Sequence, residues 1–258
     1  MRTVKATRYV TALREGGSVP AIVEAEDQGL YVTKFRGAAQ GIGALMAELL
    51  GGTLARGLGF HVPELVWVSF DLALARNEPD AEIRDLLKAS AGLNVGLDYL
   101  PGSVTFDPLA GPVPSAELAS DLVLFDAFIT NVDRTPKNPN LLSWHRALWL
   151  IDHGSAFYFH HDWQDFRRKS QTRFPQVRDH VLLPYATDLE AAASKLRAGL
   201  TAPLLSQAVE SIPEPWLGTE PFASAVEHRA AYREYLDQRL LALPLFLEEA
   251  LHAHARFV

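Results

Sequence analysis

Asn131-Val132-Asp133-Arg134-Thr135-Pro136-Lys137-Asn138-Pro139-Asn140, with Ile151-Asp152-His153-Gly154 shortly after it, is the stretch from which the fold can be read. It is a polar, proline-punctuated loop that follows an apolar helical stripe of Leu118, Leu122, Phe125, Phe128 and Ile129. Ser115 is placed to cap the start of that helix, with Glu117 in its first turn. Beyond the loop, Leu141-Leu142 and Ala147-Leu148-Trp149-Leu150-Ile151 read as a short hairpin, so Asp152 leaves a buried strand just ahead of a glycine. Asp133 and Asn138 stand five positions apart on the loop. Phosphoryl transfer calls for this set: one carboxylate to orient the attacking hydroxyl, and hard oxygen ligands to hold Mg²⁺ against a triphosphate. Alone, an Asp-x-x-x-x-Asn is almost uninformative, because Asx and Pro residues also build ordinary turns. Its pairing with an apolar run ending in Asp-His-Gly is what carries weight.

Upstream, residues 4–13, 19–26 and 30–35 are β-rich runs, separated by Arg14-Glu15-Gly16-Gly17-Ser18 and by Asp27-Gln28-Gly29. Short turns between consecutive strands predict an antiparallel meander. Ile42, Leu45, Met46, Leu49, Leu50 and Leu54 then recur at helical spacing up to Gly57 and Gly59. A strand over 62–70, an amphipathic helix over 79–90 and a strand over 93–100 follow, the last ended by Pro101-Gly102. The order of chemistry-bearing residues matters more than any one of them. A Gly16-Gly17-Ser18 turn can lay backbone N–H groups over phosphates. Lys34 at a strand end can neutralise phosphate charge, and Glu48 on the next helix can hold that lysine, since a carboxylate beside core positions needs a partner.

From Ser115 onward the chain reads as mainly helical, with later helices over 188–199, 202–211 and 223–251. The shift from strands to helices near Pro101 divides the chain into 1–100, a nucleotide-binding sheet and helix, and 101–258, a helical part carrying the catalytic loop.

Composition narrows the alternatives. Of 258 residues, 48% are hydrophobic and 21% charged, enough for a sizeable core. No apolar stretch approaches the roughly 18 residues of a membrane span, and no apolar run follows the N-terminal basic residues as a secretory signal would require. The chain has no cysteine, which excludes disulfides, thiolate zinc sites and cysteine nucleophiles and fits a cytoplasmic setting. A net charge of −7 argues against nucleic acid or anionic membranes as partners. Arg167, Arg168, Lys169 and Arg173 form a basic cluster that reads as a solvated face. His160-His161-Asp162 and His252-x-His254 lack a third clustered ligand, and Trp144, Trp149, Trp163 and Trp216 read as packing residues.

The string Phe125-Asp126-Ala127-Phe128-Ile129-Thr130-Asn131-Val132-Asp133-Arg134, with Asn138-Pro139-Asn140-Leu141-Leu142 and Ile151-Asp152-His153-Gly154, resembles the HipA-like kinase family, bacterial relatives of a toxin serine/threonine kinase and distantly similar to phosphatidylinositol kinases. The resemblance implies an α+β, bilobal protein-kinase-like fold: a small antiparallel-sheet N-lobe with one helix packed on it, and a mainly helical C-lobe. It implies ATP and Mg²⁺ as cofactors, Asp133 as catalytic base, Asn138 and Asp152 as metal ligands, and Lys34, positioned by Glu48, on the nucleotide phosphates. Residues 97–100 become the hinge whose backbone meets adenine, through Asp98, Tyr99 and Leu100. Thr135 departs from the family, which often carries a histidine there; the cationic role then falls to Mg²⁺, Lys34 and Arg134 or Lys137. The chain also has no room for the extra N-terminal subdomain of the toxin, which weakens the case for an antitoxin-like partner. Ser18 stands near where such kinases are autophosphorylated, and is equally a plain turn residue. The expected activity is ATP-dependent transfer to a protein serine or threonine. The rivals are a lipid or small-molecule acceptor at the same site, and a nucleotide-binding pseudokinase or interaction module.

Overall fold

Ala6, Ala21, Ala25 and Gly96 are the small residues over which five strands close on themselves. Strands β1 (Thr3–Ala12), β2 (Ala21–Ala25) and β3 (Leu30–Lys34) are followed by helix α1 (Gly41–Gly57), strand β4 (Leu65–Phe70), helices α2 (Leu72–Arg76) and α3 (Ala81–Ala89), and strand β5 (Gly92–Asp98). The computed structural model describes residues 1–13, 20–76, 78–218 and 220–257. The meander is present: β1 pairs antiparallel with β2, and β2 with β3. The sheet is nevertheless not the small antiparallel one expected. β5 pairs with both β3 and β4, and β4 returns parallel to β1, Thr3 opposite Trp67 and Lys5 opposite Ser69, closing a barrel in the order β1-β2-β3-β5-β4. Two register shifts in β1, between Ala6 and Arg8 and between Tyr9 and Thr11, coil that long strand enough for closure. A methyl group at Gly96 would sit 2.5 Å from Val68 Cγ2, so the inward face tolerates only glycine at this rung. Val4, Val23, Tyr31, Val66, Val68 and Phe70 fill the interior.

This barrel belongs to a unit comprising Met1–Leu49 and Pro63–Gly102; Leu50–Val62 and Ser103–Val258 form a second unit. The second contains a three-stranded sheet, β6 (Val104–Thr105), β7 (Leu141–Trp144) and β8 (Ala147–Leu150), beside α4 (Ala116–Ile129). α4 starts where expected, with Ser115 Oγ accepting the Leu118 N–H at 3.2 Å. It is buried on nearly all sides from Ala119 to Ile129, and is therefore a core helix rather than an amphipathic one. The β7–β8 hairpin turns through His145 and Arg146, both at positive φ (48° and 64°), the conformation a two-residue hairpin requires.

The helices α5 (Phe166–Ser170), α6 (Leu189–Gly199), α7 (Ala202–Glu210), α8 (Ala225–Leu241) and α9 (Leu243–His254) complete the unit. The single helix expected over 223–251 is two. Pro244 lies in the first turn of α9, where its missing N–H does no harm, and the chain breaks at Ala242. The basic cluster lies on the surface with an acidic partner for each member: Arg167 with Glu234, Arg168 with Asp165, Lys169 with Asp162, Arg173 with Glu248. No helix among the described residues is long and apolar enough to cross a membrane.

Candidate active site

In the barrel unit, β3 delivers Lys34 and α1 delivers Glu48. Lys34 is 6% exposed and Glu48 fully buried, and Nζ lies 2.5 Å from Oε2. A carboxylate with no access to water must be matched by a cation and by hydrogen bonds, so this pair is mutually obligatory. The expected hinge is only partly open to a ligand. The Asp98 N–H donates to the Glu64 carbonyl and the Tyr99 N–H to the Leu30 carbonyl, both at 2.9 Å. Those two amides finish the barrel ladder and cannot also serve a base; the Leu100 N–H makes no such bond among the described residues. Gly16, Gly17 and Ser18 lie outside the described residues.

In the second unit, α4 ends at Thr130, whose left-handed backbone (φ 54°) turns the chain into the loop. The Asp133 N–H donates to Asn131 Oδ1 at 3.2 Å. Asp133 Oδ2 accepts from Asn138 Nδ2 at 2.8 Å and from Asn140 Nδ2 at 3.3 Å, and the Asp133 carbonyl also accepts from Asn140 Nδ2 at 3.0 Å. The carboxylate is thus pinned through one oxygen, leaving Oδ1 as its other acceptor. Asn138 is exposed, whereas Asn140 is buried, sits at φ 48°, and immediately precedes β7. With its amide nitrogen engaged by Asp133, Asn140 presents Oδ1 as an oxygen donor that the Asp-to-Asn interval does not reveal. Its place directly before the strand was the available signal.

Thr135 has a structural task. Thr135 N–H donates to the Asn138 carbonyl at 3.0 Å, Asn138 N–H to the Thr135 carbonyl at 3.1 Å, and Thr135 Oγ1 lies 3.3 Å from the same amide. These bonds close a small turn with Pro136 and Lys137 exposed at its tip.

Arg134 corrects an expectation. It is 1% exposed, with Nε 2.5 Å from Asp126 Oδ2, and its NH1 donates to the carbonyls of Asn140 and, at 3.4 Å, Ile151. A guanidinium so placed cannot reach a transferring phosphate; it strings the loop to the hairpin. Burial pushes the Asp126 carboxyl upward, but the Arg134 guanidinium and the His180 hydrogen bond outweigh it and hold the group well below the usual carboxylate range.

Asp152 is brought to the same end of the hairpin as the loop. Leu141 pairs with Leu150, and the Ile151 N–H donates to the Asn140 carbonyl at 3.1 Å, so Asp152 is one residue beyond the rung that holds Asn140. Its backbone is left-handed (φ 54°) and Oδ1 accepts the Gly154 N–H at 3.3 Å. His153, fully buried, packs edge-on to Phe125 and against α1, where a methyl group at Gly51 would lie 2.7 Å from its Cβ. The other histidine pairs make no comparable cluster. His160 is buried with Nδ1 on the Tyr232 hydroxyl at 2.9 Å, and no group of three or more His, Cys, Asp or Glu able to hold a metal occurs among the described residues.

Comparison with known proteins gives a family and a fold. The family model described as HipA-like kinase matches residues 7–238. A solved structure, a Helicobacter pylori proinflammatory kinase, CtkA, aligns with a TM-score of 0.60 at 13% identity, over 97% of this chain and 98% of that one. At that identity the likeness is one of fold. No curated protein matches the chain in sequence.

Proposed function

Because the chain belongs to the HipA-like kinase family, we propose that it uses ATP and Mg²⁺ to phosphorylate a protein serine or threonine, acting in the cytoplasm. The observation that supports this most is the setting of Asp133. Its backbone N–H is held by Asn131, one carboxylate oxygen is held by two asparagine amides, and the second oxygen is left as a proton acceptor. In this reading Asp133 Oδ1 receives the proton of the acceptor hydroxyl as that oxygen bonds to the γ-phosphorus and the bond to the β,γ-bridging oxygen breaks, releasing ADP. Lys34, oriented by Glu48, neutralises phosphate charge. The Leu100 N–H serves adenine.

The donors near the loop are all oxygen, which suits a hard divalent cation. Asp152, Asn138 and Asn140 would hold it. When bound, Mg²⁺ supplies neutralisation of the triphosphate. The cysteine-free sequence and the reducing compartment it suits support the location.

Asp133→Ala should abolish turnover while leaving nucleotide affinity within about twofold, since the base acts only in the chemical step. Asp152→Ala should also weaken Mg²⁺-dependent nucleotide binding, and Asn140→Ala should do so more than Asn138→Ala. Wild-type turnover in both aspartate variants would reject the assignment. With γ-labelled ATP, label in protein supports the serine/threonine reading; label in an extractable lipid or small molecule moves the acceptor class. Thermal stabilisation by ATP·Mg²⁺ without turnover on any acceptor would make the chain a nucleotide-binding module.

A further inference from the structure

Asp126 lies in the last turn of α4, fully buried, and belongs to none of the sets just named. Three side chains converge on it. Asn131 Nδ2 donates to Oδ1 at 3.0 Å, while Arg134 Nε and His180 Nε2 lie 2.5 and 3.0 Å from Oδ2. The sense of the histidine bond is fixed by its other nitrogen. The Leu182 N–H donates to Nδ1 at 3.0 Å, so the ring proton of neutral His180 sits on Nε2 and points at the carboxylate.

Each donor leads somewhere. Asn131 passes on to the Asp133 N–H through its own Oδ1. Arg134 passes on to the Asn140 and Ile151 carbonyls, the rung beyond which Asp152 emerges. His180 comes from the chain downstream of Asp-His-Gly, and its neighbour Val181 donates its N–H to the Arg134 carbonyl at 3.0 Å. One carboxylate is therefore the shared acceptor for the start of the loop, the strap across the hairpin, and the downstream segment.

We propose that Asp126 is a positioning residue for phosphoryl transfer, fixing Asp133 through Asn131 and the Asn140–Ile151 rung through Arg134, with His180 tying the downstream segment to the same point. The proposal rests on the reading of Asp133 as the base. Asp126 touches no reacting atom. An asparagine in its place offers one acceptor oxygen to three buried donors, so some of them must turn away and the loop shifts with them.

The test uses the full chain and measures ADP release with Mg²⁺·ATP, with folding followed by circular dichroism. Asp126→Asn should lower kcat about 10²-fold, the loss expected of a catalytic group displaced by about 1 Å, and raise KM for ATP·Mg²⁺ by only about threefold to fivefold, because the Asn140–Ile151 rung shifts with the loop while Asn140 and Asp152 themselves remain. His180→Ala should lower kcat about tenfold, whereas His180→Gln, which keeps an N–H donor, should stay within about threefold of wild type. A folded Asp126→Asn with wild-type kcat, or one whose kcat falls only in step with a rising KM, overturns the proposal. Should Asp126→Asn not fold, the histidine pair decides: equal turnover in His180→Ala and His180→Gln overturns it. A wild-type chain that releases no ADP overturns the phosphotransfer reading and this proposal with it, whereas an active wild type beside an equally active Asp126→Asn overturns the proposal alone.

Discussion

Arg134 and Arg239 are buried to the same degree in the same unit, at 1% and 0% exposure, and are neutralised by different means. Arg134 faces a carboxylate, Asp126, which itself has no contact with water. The charge is cancelled locally, and each partner fixes the other's direction. Arg239 makes no ion pair among the described residues. Its guanidinium donates to the carbonyls of Ala127 (2.8 Å), Phe128 (3.3 Å), Ser170 (3.0 Å) and Thr172, with its carbon 4.3 Å over the Phe246 ring. Ala127 and Phe128 belong to the last turn of α4, whose carbonyls lack partners within the helix and form the negative end of its dipole. Burial brings the Arg239 group down to about 10. The two arginines act on either side of one bend. Arg239 holds the end of the helix, and Arg134 holds the loop that leaves it. A cation matched by dipoles can be removed without leaving an opposite charge behind. A cation matched by a carboxylate cannot.

That difference orders the consequences of deletion. Arg134→Met strands Asp126 in the core and should destabilise the chain by about 3–5 kcal/mol, measured as a fall in the urea midpoint at neutral pH. Adding Asp126→Asn to it should recover part of the loss, because the stranded charge is gone. Arg239→Met removes several charge-assisted hydrogen bonds but leaves only carbonyls short of a donor, and should cost about 1–3 kcal/mol. If Arg239→Met proves the more damaging, or if the second substitution makes Arg134→Met worse, the contrast between the two forms of compensation is broken.

Parts of this arrangement were legible in the sequence and parts were not, for definite reasons. The order of the glycine turn, Lys34, Glu48, the loop and Asp-His-Gly is a linear pattern, and the structure joins Lys34 to Glu48 and pins Asp133 by Asn138. Helix α4 and its Ser115 cap follow from local rules that act over three or four residues. The barrel does not. Its closing contact pairs Thr3–Lys5 with Trp67–Ser69 across some sixty intervening residues, and alternation along a strand says nothing about which neighbour it finds. Arg134 was misread for a related reason. In sequence it is a cation beside Asp133, the aspartate proposed as the base; only the folded chain shows that Asp126, one helical turn and a bend away, has claimed it. Asn140 was overlooked because the five-residue interval singled out Asn138, while the bond from Asn140 to the Asp133 carbonyl exists only once the loop has closed on β7.

There is a third way to bury a base: it can surrender its proton. His228 is 1% exposed, stacked between Phe222 and Tyr232 with ring centres 4.3 and 5.2 Å away, and edge-on to Trp163. Burial brings it down to about 4, and burial, with His161 and His228 beside it, brings His160 down to about 3. Above the ordinary histidine value of 6.5 both rings are neutral folded or unfolded, and neither affects stability. Between 6.5 and about 4 the unfolded chain takes up a proton that the folded His228 refuses, so stability falls as the pH drops through that window and levels off below it. Arg239, at about 10, keeps its proton throughout that window, so the slope separates this third form of compensation from the dipole-matched one. His228→Phe keeps the aromatic stack and removes one of the two protons. The loss of stability between pH 7 and pH 5, from urea midpoints, should be smaller in this variant than in wild type by about 1–2 kcal/mol. An identical loss in both would mean that His228 is protonated in the folded chain, and that its aromatic neighbours hold a cation after all.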